Sequence, residues 1–342
     1  MAARTSVRPA AALADPPLSR MLQDSYPASV KEIHVSEIPG GRYWGRQYGY
    51  IIDRNDTLIT DLSLTFTGGE RHDALKHLML PAQTRLRGKV AVINTYFSSN
   101  FHHWLLDTLP RFEWIRRAGH HWSEIDHFIL PGVLSRWHFA TLEQLGIPQQ
   151  KIVRSSTNLH VQADLLLVPS HSTPDAQPEQ YDYPPEGLQF TRKIFLENNP
   201  ALMADTPKRI LVSRERANVR RLVQGERAAR FLAGMGFKKV LLEDYSLLEQ
   251  AAMFHKADCV VMPTGGNLAN FVFCRPGTIA MELFSCSYVP DFTHAMMGEI
   301  GLRYYALVAD KRAPLVHGDH GSNEDIDFDP CRLEAIVRKA LS

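Results

Sequence analysis

The sequence predicts an α/β protein of two halves, a bilobal arrangement with its ligand in the cleft. Three observations carry this. The chain has 342 residues, beyond the roughly 250 to 300 at which single hydrophobic cores stop growing. Apolar strand-like runs alternate with helix-like segments in two separate stretches, as βαβ units with parallel strands require. Between those stretches, residues 171–207 read HSTPDAQPEQYDYPPEG, a helix-like QFTRKIFLENN, and PALMADTP, a proline density that marks a linker. The alternative is one large α/β domain carrying a long insertion.

Taken in order, residues 1–30 open with MAARTSVRPAAALADPPLSR, Ala/Pro/Arg-rich and without an apolar h-region, which predicts a disordered segment and no signal peptide. The first half, residues 31–170, begins with RYWGRQYGYIIDRNDTLITDLSLTF at 42–66, aromatic and β-branched and broken by RND, hence antiparallel strands. GKVAVINT, HFILPG and DLLLVPS then alternate with NFHHWLLDTLPR and VLSRWHFATLEQLG. After the 171–207 linker, residues 208–342 run RILVSR, ERAARFLAGMGF, KVLLED, SLLEQAAMFHKA, CVVMPT, GGNLANFVFC and TIAMELF. A closing helix, PCRLEAIVRKALS, has Asp329 as N-cap and Pro330 in its first turn.

The charge balance, 38 basic against 37 acidic residues, gives no field that would draw nucleic acid or an acidic membrane. Cys259, Cys274, Cys286 and Cys331 lie without zinc-like spacing and read as free thiols of a reducing, cytoplasmic compartment. No uncharged run approaches the 18 residues of a membrane span.

In the second half, CVVMPTGGNLANFVF sets Gly265 and Gly266 at the carboxyl end of a parallel strand, before a helix, where open α/β sheets dock ligands and helix N–H groups favour anions. A plain turn is the competing reading. ILVSRERANVRR places Ser213 and Arg214 at another strand end, with Arg216, Arg220 and Arg221 in the loop beyond. Guanidinium suits bidentate phosphate binding, and Arg214 is the best placed; a solvated basic loop accounts equally for Arg216 and Arg221. Glu282, in the apolar strand TIAMELF, needs a partner if buried and could accept the two hydroxyls of a ribose; a structural salt bridge is the alternative.

In NFHHWLLDTLPR, Asn100 is a good N-cap, and Phe101, Trp104, Leu105, Thr108, Phe112 and Ile115 recur at helical spacing as one buried stripe. Pro110 interrupts or bends the helix. His103 and Asp107 are four apart and off that stripe, so the carboxylate can orient the imidazole and the pair can act as a general base. The competing role is a local hydrogen bond that fixes the helix. His102 reads as a bystander. Asp325, Asp327 and Asp329 form a DxDxD string outside the alternation, predicted to be a solvated loop rather than a metal site.

Together, NFHHWLLDTLPR, RILVSRERANVRR, GFKKVLLEDYSLLEQAAMFHKADCVVMPTGGNLANFVF and GTIAMELF resemble glycosyltransferase family 61 over roughly residues 88–285. The resemblance implies a GT-B architecture, two Rossmann-like lobes with a cleft between them, and inverting transfer without a required metal or cofactor. It implies a nucleotide sugar, most plausibly UDP-linked, bound by the C-terminal lobe, and a glycan or other hydroxyl-bearing acceptor, as in capsular polysaccharide synthesis. An acceptor linked to a membrane would bring peripheral contact with it. The family's Ser-Arg falls on Ser213 and Arg214, its next arginine on Arg220 or Arg221, its acidic helix opener on Glu226 after Gly225 in place of asparagine, and its glutamine on Gln250. Its loop, Gly-x-His-Gly-Ala-x-Leu-x-Asn, falls on Met262 to Asn270: Gly265, Leu268 and Asn270 match, while Thr264 replaces the histidine. The expected donor site is thus Ser213, Arg214, Arg220, Thr264, Gly265, Gly266, Asn267, Asn270 and Glu282. The resemblance also places His103 and Asp107 as the acceptor base, with Asp107 ahead because inverting transferases usually employ a carboxylate. A nucleotide- or sugar-binding subunit without turnover is the alternative function. A dinucleotide oxidoreductase is disfavoured, since no G-x-G-x-x-G follows any expected strand.

Overall fold

The computed structural model describes residues 3–8, 11–12, 29–30, 32–46, 48–63, 72–77, 79–171, 183–290, 293–309, 311–315 and 321–342. Much of the expected disordered N-terminus, the end of the 42–66 stretch and residues 172–182 of the expected linker lie outside them. The chain divides into two compact units, Met1–Ile194 and Phe195–Ser342.

Unit 1 runs β1 (Ala3–Arg8), β2 (Ala11–Ala12), β3 (Ser29–Val30), β4 (Ile33–Pro39), β5 (Arg42–Trp44), β6 (Tyr50–Ile52), β7 (Thr84–Val92), α1 (Phe101–His103), α2 (Pro110–Arg117), β8 (His127–Leu130), α3 (Arg136–Gln144), β9 (Ile152–Arg154), β10 (His160–Pro169) and α4 (Pro185–Leu196). Its main sheet has the order β1-β4-β10-β7-β8-β9, with β10, β7, β8 and β9 parallel. The first residues are not wholly disordered: β1 pairs antiparallel with β4. Antiparallel pairing is present but placed differently: β5 and β6 form a hairpin wholly before RND, and beyond RND only an isolated bridge, Ile52 to Leu58, extends it before a 3₁₀ helix at Thr60–Leu62. The expected linker holds a twelve-residue helix, α4.

Unit 2 runs β11 (Arg209–Val212), α5 (Gly225–Ala233), β12 (Phe237–Val240), α6 (Leu247–Lys256), β13 (Cys259–Pro263), β14 (Ile279–Phe284), α7 (His294–Ile300), β15 (Arg303–Val308), β16 (Lys311–Leu315), β17 (Glu324–Asp327) and α8 (Pro330–Leu341). The sheet is β12-β11-β13-β14-β15, parallel throughout. Local signals set these boundaries. Ser246 and Glu249 cap α6 reciprocally, with Ser246 N donating to the Glu249 carboxylate at 2.7 Å, and Asp329 accepts from Cys331 N at 3.0 Å to start α8. Leu211, Val261, Met281, Leu232 and Val337 are buried in one core that joins the sheet to α5 and α8.

Two elements differ from expectation. GGNLANFVF is a 3₁₀ helix over Gly266–Phe273, not an α-helix, so its N–H groups are less well aligned than an α-helix would make them. The DxDxD string is not a solvated loop. Asp325 and Asp327 lie in β17, Asp325 is buried, and Ile326 exchanges backbone hydrogen bonds with Arg221 and Val223.

The segment 100–117 contains the largest local surprise. Asn100 caps the short α1 by accepting from His102 N at 2.9 Å, but Trp104–Thr108 is a π-helical turn closed by Leu109 N to Trp104 O at 2.7 Å. Pro110 explains it. Its ring lacks an N–H and crowds the carbonyl four residues back, so the chain adds a residue to the turn before α2 starts with Pro110 in first position. The wider turn buries Leu106 and Leu109 together with Trp104, Leu105, Thr108, Phe112 and Ile115. Trp104 is fully enclosed, and its Nε1 donates to Thr141 Oγ1 at 2.9 Å. Trp104→Ala should therefore cost unit 1 about 3–5 kcal/mol, measured as an earlier urea transition; a shift under about 1 kcal/mol would mean that the segment is not anchored here.

Candidate functional site

In each unit the chain reverses its direction across the sheet at one place, which is where open α/β sheets bind ligands. In unit 2 it steps from β11 out to β12, then crosses back to lay β13 on the other side of β11. The residues following β11 and β13 at this reversal are Ser213–Arg214 and Thr264–Gly265. They touch: a Cβ on Gly265 would stand 2.4 Å from Arg214 Nη1, and Gly265 has φ +150°. Both the space and the backbone therefore demand glycine.

Arg214 is largely buried, and burial, followed by the neighbouring Arg220, lowers its guanidinium to about 10, so it stays charged at neutral pH. Arg220 adopts a left-handed backbone, φ 57°, and lies 5.7 Å from the Tyr288 ring centroid. Among the described residues the Nε atoms of both arginines lack a hydrogen-bond partner, and Nη2 of Arg214 makes only a long 3.3 Å bond to Val219 O. Two like charges held side by side with donors unspent make a candidate anion site. Arg221 is excluded from it, because Asp325 takes its Nε at 3.0 Å and its Nη2 at 2.8 Å. The aspartate string thus fixes the loop that presents Arg220. Arg216 pairs with Asp244 at the surface.

Glu282 is buried on β14, and its Oε2 accepts from Tyr304 OH at 2.8 Å and Thr293 Oγ1 at 2.9 Å. Burial raises it to about 7; Thr264, Tyr304, Thr293 and the charge of Arg220 temper the rise. The Thr264 hydroxyl helps from outside hydrogen-bond geometry, so Thr264 Oγ1 and Glu282 Oε1 both stay without a bonded partner. The remaining expected residues divide. Gly266 and Asn267 are half-buried at the start of the 3₁₀ helix, whereas Asn270 is fully enclosed and donates to Gln250 Oε1 at 3.1 Å. Gln250 in turn binds the Leu242 and Tyr245 carbonyls, so this pair braces the loop from inside. Ser213 Oγ meets Glu215 at 3.2 Å. Glu226 is spent on Lys239. Beside Arg214 a cavity of about 420 Å³ is lined by Leu211, Ser213, Gln224, Arg230 and Lys239 among others.

In unit 1 the reversal lies between β7 and β10. Arg111 spans it from below, donating to Val92 O at 3.2 Å and Ser170 O at 3.3 Å, and burial lowers it to about 9. Above, His103 Nδ1 and Asp107 Oδ2 are 2.7 Å apart. The π turn buries the Asp107 side chain to 3% exposure while His103 keeps 14%. Burial raises the Asp107 carboxyl, against the hydrogen bond and charge of His103, and its Oδ1 has no partner. Within the pair the carboxylate is the more enclosed partner and the imidazole the more exposed one. His102 is buried, lowered to about 3 by burial and then by His103, and bonds Tyr183 OH at 2.9 Å; it is a neutral core residue. Tyr96 and Phe97 flank His103 at ring distances of 5.4 and 5.3 Å.

Sequence reasoning missed Arg111, Tyr304, Thr293 and Tyr288. Arg111 stood in the segment already singled out. The other three meet their partners only through sheet register and loop packing, for which the sequence holds no local signal.

A family model described as Glycosyltransferase 61 matches residues 101–281, just over half of the chain. No curated protein matches it. The match begins at α1 and ends within β14, so it takes in His103, Asp107, the arginine loop and the Gly265 turn.

Two outcomes follow from this geometry. Gly265→Ala should displace Arg214 and weaken inorganic pyrophosphate by about tenfold or more in calorimetry, one charged contact being worth about 1.5–3 kcal/mol; unchanged affinity would separate the turn from anion binding. Glu282 is raised in the folded state, so its share of stability is present below its unfolded value near 4.5 and is lost as pH climbs to about 7. Glu282→Gln should abolish that share of the decline and stabilise unit 2 at pH 8 by about 3 kcal/mol; equal unfolding curves for variant and wild type from pH 4.5 to 8 would refute the assignment.

Proposed function

The chain belongs to glycosyltransferase family 61, and from that premise we propose that it is an inverting, metal-independent transferase that moves a sugar from a UDP-linked donor to a hydroxyl of a glycan in polysaccharide synthesis. The observation that carries the reading is the pair of half-buried, incompletely bonded guanidiniums, Arg214, which abuts Gly265, and its neighbour Arg220, at the reversal point of a parallel sheet. A leaving diphosphate develops charge as the glycosidic bond breaks, and fixed cations aimed at it lower the barrier without having to reorganise. The neighbouring cavity suits the nucleoside; Glu282, enclosed and outside that lining, would meet a ribose hydroxyl only if the loop around Thr264 opens.

On this reading the two units are the two lobes of a GT-B transferase. Unit 1 supplies the base: His103 takes the acceptor proton while Asp107 orients the ring through Nδ1 and stabilises the imidazolium. The acceptor oxygen then attacks the anomeric carbon opposite the departing diphosphate, inverting the configuration. Among the described residues the four cysteines form no disulfide, and Cys259 and Cys274 are buried, which suits a cytoplasmic setting. Among the described residues no helix is long and apolar enough to cross a membrane.

One observation favours the reading without turnover. Thr264, at the position of the family's histidine, is fully buried and faces Glu282 rather than an open surface, so it brings no charge to a donor.

Thermal unfolding with UDP, GDP, CMP, ADP and NAD in EDTA tests the nucleotide site that both readings share, and turnover of a sugar nucleotide separates them. UDP at a hundredfold its dissociation constant should add about 2.7 kcal/mol, and Arg214→Ala should remove the effect. Stabilisation by GDP or ADP alone would replace the donor class, and stabilisation by none would leave the binding-subunit reading without a nucleotide and the transferase reading without a donor. With a donor in hand, Asp107→Asn and His103→Gln should each lower kcat about 10²–10⁴-fold with little change in KM; full loss in Asp107→Asn beside near-normal His103→Gln would make the carboxylate the base.

A further inference from the structure

We propose that Phe97 is a platform for the acceptor, on which a pyranose ring lays its apolar face so that one of its hydroxyls reaches His103. The inference rests on the transferase reading and adds how its glycan acceptor is held: by stacking of one sugar ring. Phe97 follows β7 at the reversal point of unit 1 and is 50% exposed, whereas its neighbour Tyr96 is 2% exposed. Its ring centroid is 5.3 Å from that of His103, tilted by 36°, and 5.5 Å from that of Tyr48, edge-on at 62°.

The backbone makes the choice of residue informative. Phe97 has φ +49°, a left-handed conformation that bulky side chains avoid. The turn is firmly built around it: Asn100 N donates to Phe97 O at 2.7 Å, and Ser98 Oγ donates to Asn94 Oδ1 at 2.8 Å. Glycine or asparagine would satisfy that turn without strain. An aromatic ring kept there, strained and half in water, does not serve the core, and strain of this kind collects at binding sites.

The chemistry fits a sugar. The face of an aromatic ring is the negative part of its quadrupole, and the axial C–H groups on one face of a pyranose are its apolar, weakly positive part. Stacking leaves the equatorial hydroxyls around the rim. On one side of that rim stand His103 and, behind it, Asp107, whose Oδ1 is buried without a partner. A platform and a proton acceptor within one ring's width would hold a hydroxyl and activate it together.

Saturation-transfer NMR on the full chain tests this, with the methyl glycosides of glucose, galactose, mannose and xylose as probes. In the wild type at least one glycoside should receive saturation on the protons of a single ring face, more strongly than on its O-methyl group. Phe97→Ala should weaken the effect by about fivefold or more, the loss of one ring contact, and Phe97→Trp should keep it. Phe97→Asn, which fits the left-handed turn, should fold at least as well and lose the effect too. No saturation in the wild type, saturation of the O-methyl group alone, or signals unchanged in Phe97→Ala and Phe97→Asn would each overturn the platform. Transfer from UDP-sugars is scored separately. Transfer by Phe97→Ala at the wild-type acceptor KM overturns the platform and leaves the transferase; face-specific binding that Phe97→Ala abolishes, with no transfer by the wild type, keeps the platform and removes the transferase.

Discussion

Parallel strands cannot be joined by a tight turn; each must be followed by a crossover that returns the chain to the starting edge of the sheet. That constraint organises both units. Every crossover begins in a loop at the carboxyl edge, and where the strand order reverses, two such loops leave in opposite directions and open a crevice between them. In unit 2 the loops after β11 and β13 carry Arg214 and Gly265, and in unit 1 the segment after β7 carries Phe97 and leads to His103. The candidate site residues therefore sit at loops that the topology requires in any case, where no additional core has to be disrupted.

The electrostatics of these crevices are deliberately incomplete. A buried charge normally finds a partner, since leaving it unmatched costs several kcal/mol. Here Arg214 and Arg220 adjoin one another, Arg111 is bonded to carbonyls rather than to a carboxylate, and Asp107 and Glu282 each have one oxygen without a bond. The surrounding structure absorbs the cost by over-determining each position: Asp325 anchors the neighbouring Arg221, Tyr304 and Thr293 hold one oxygen of Glu282, and the π turn encloses Asp107. A site whose dipoles are fixed in advance need not reorganise as charge develops, so on the transferase reading the same unmatched groups would favour a charged transition state.

What the sequence discloses follows from what is local. The alternation of β-branched runs with amphipathic helices, the caps at Ser246 and Asp329, and the need for glycine at 265 are all written within a few residues, and each is met in the structure. The helical stripe of Trp104, Phe112 and Ile115 is legible for the same reason. The π turn is not, because an apolar run before a proline reads equally as a kinked α-helix. The clamp between Asp325 and Arg221 is equally hidden, since an acidic string looks the same whether solvated or paired across 104 positions. Roles inside a pair are hidden too. Spacing says that His103 and Asp107 meet, but which of them reaches outward depends on a turn one residue wider than the α-helix assumed.

Thr264 shows how far a single replacement can be compensated. A histidine there, as in the resembling family, would stand beside Glu282 and could share its charge, making an ion pair inside the loop. With threonine the carboxyl has only hydroxyls as close partners, and burial leaves it near its midpoint at neutral pH. Either arrangement lowers the net negative charge next to the anion site, one by adding a cation and the other by retaining a proton. The field that a diphosphate meets is then governed by Arg214 and Arg220, which are present whichever residue occupies position 264. Without a histidine in the β13 turn the cationic contribution rests on the arginine loop alone, so the geometry of that loop, braced by Asp325 and β17, would decide how well an anion is held.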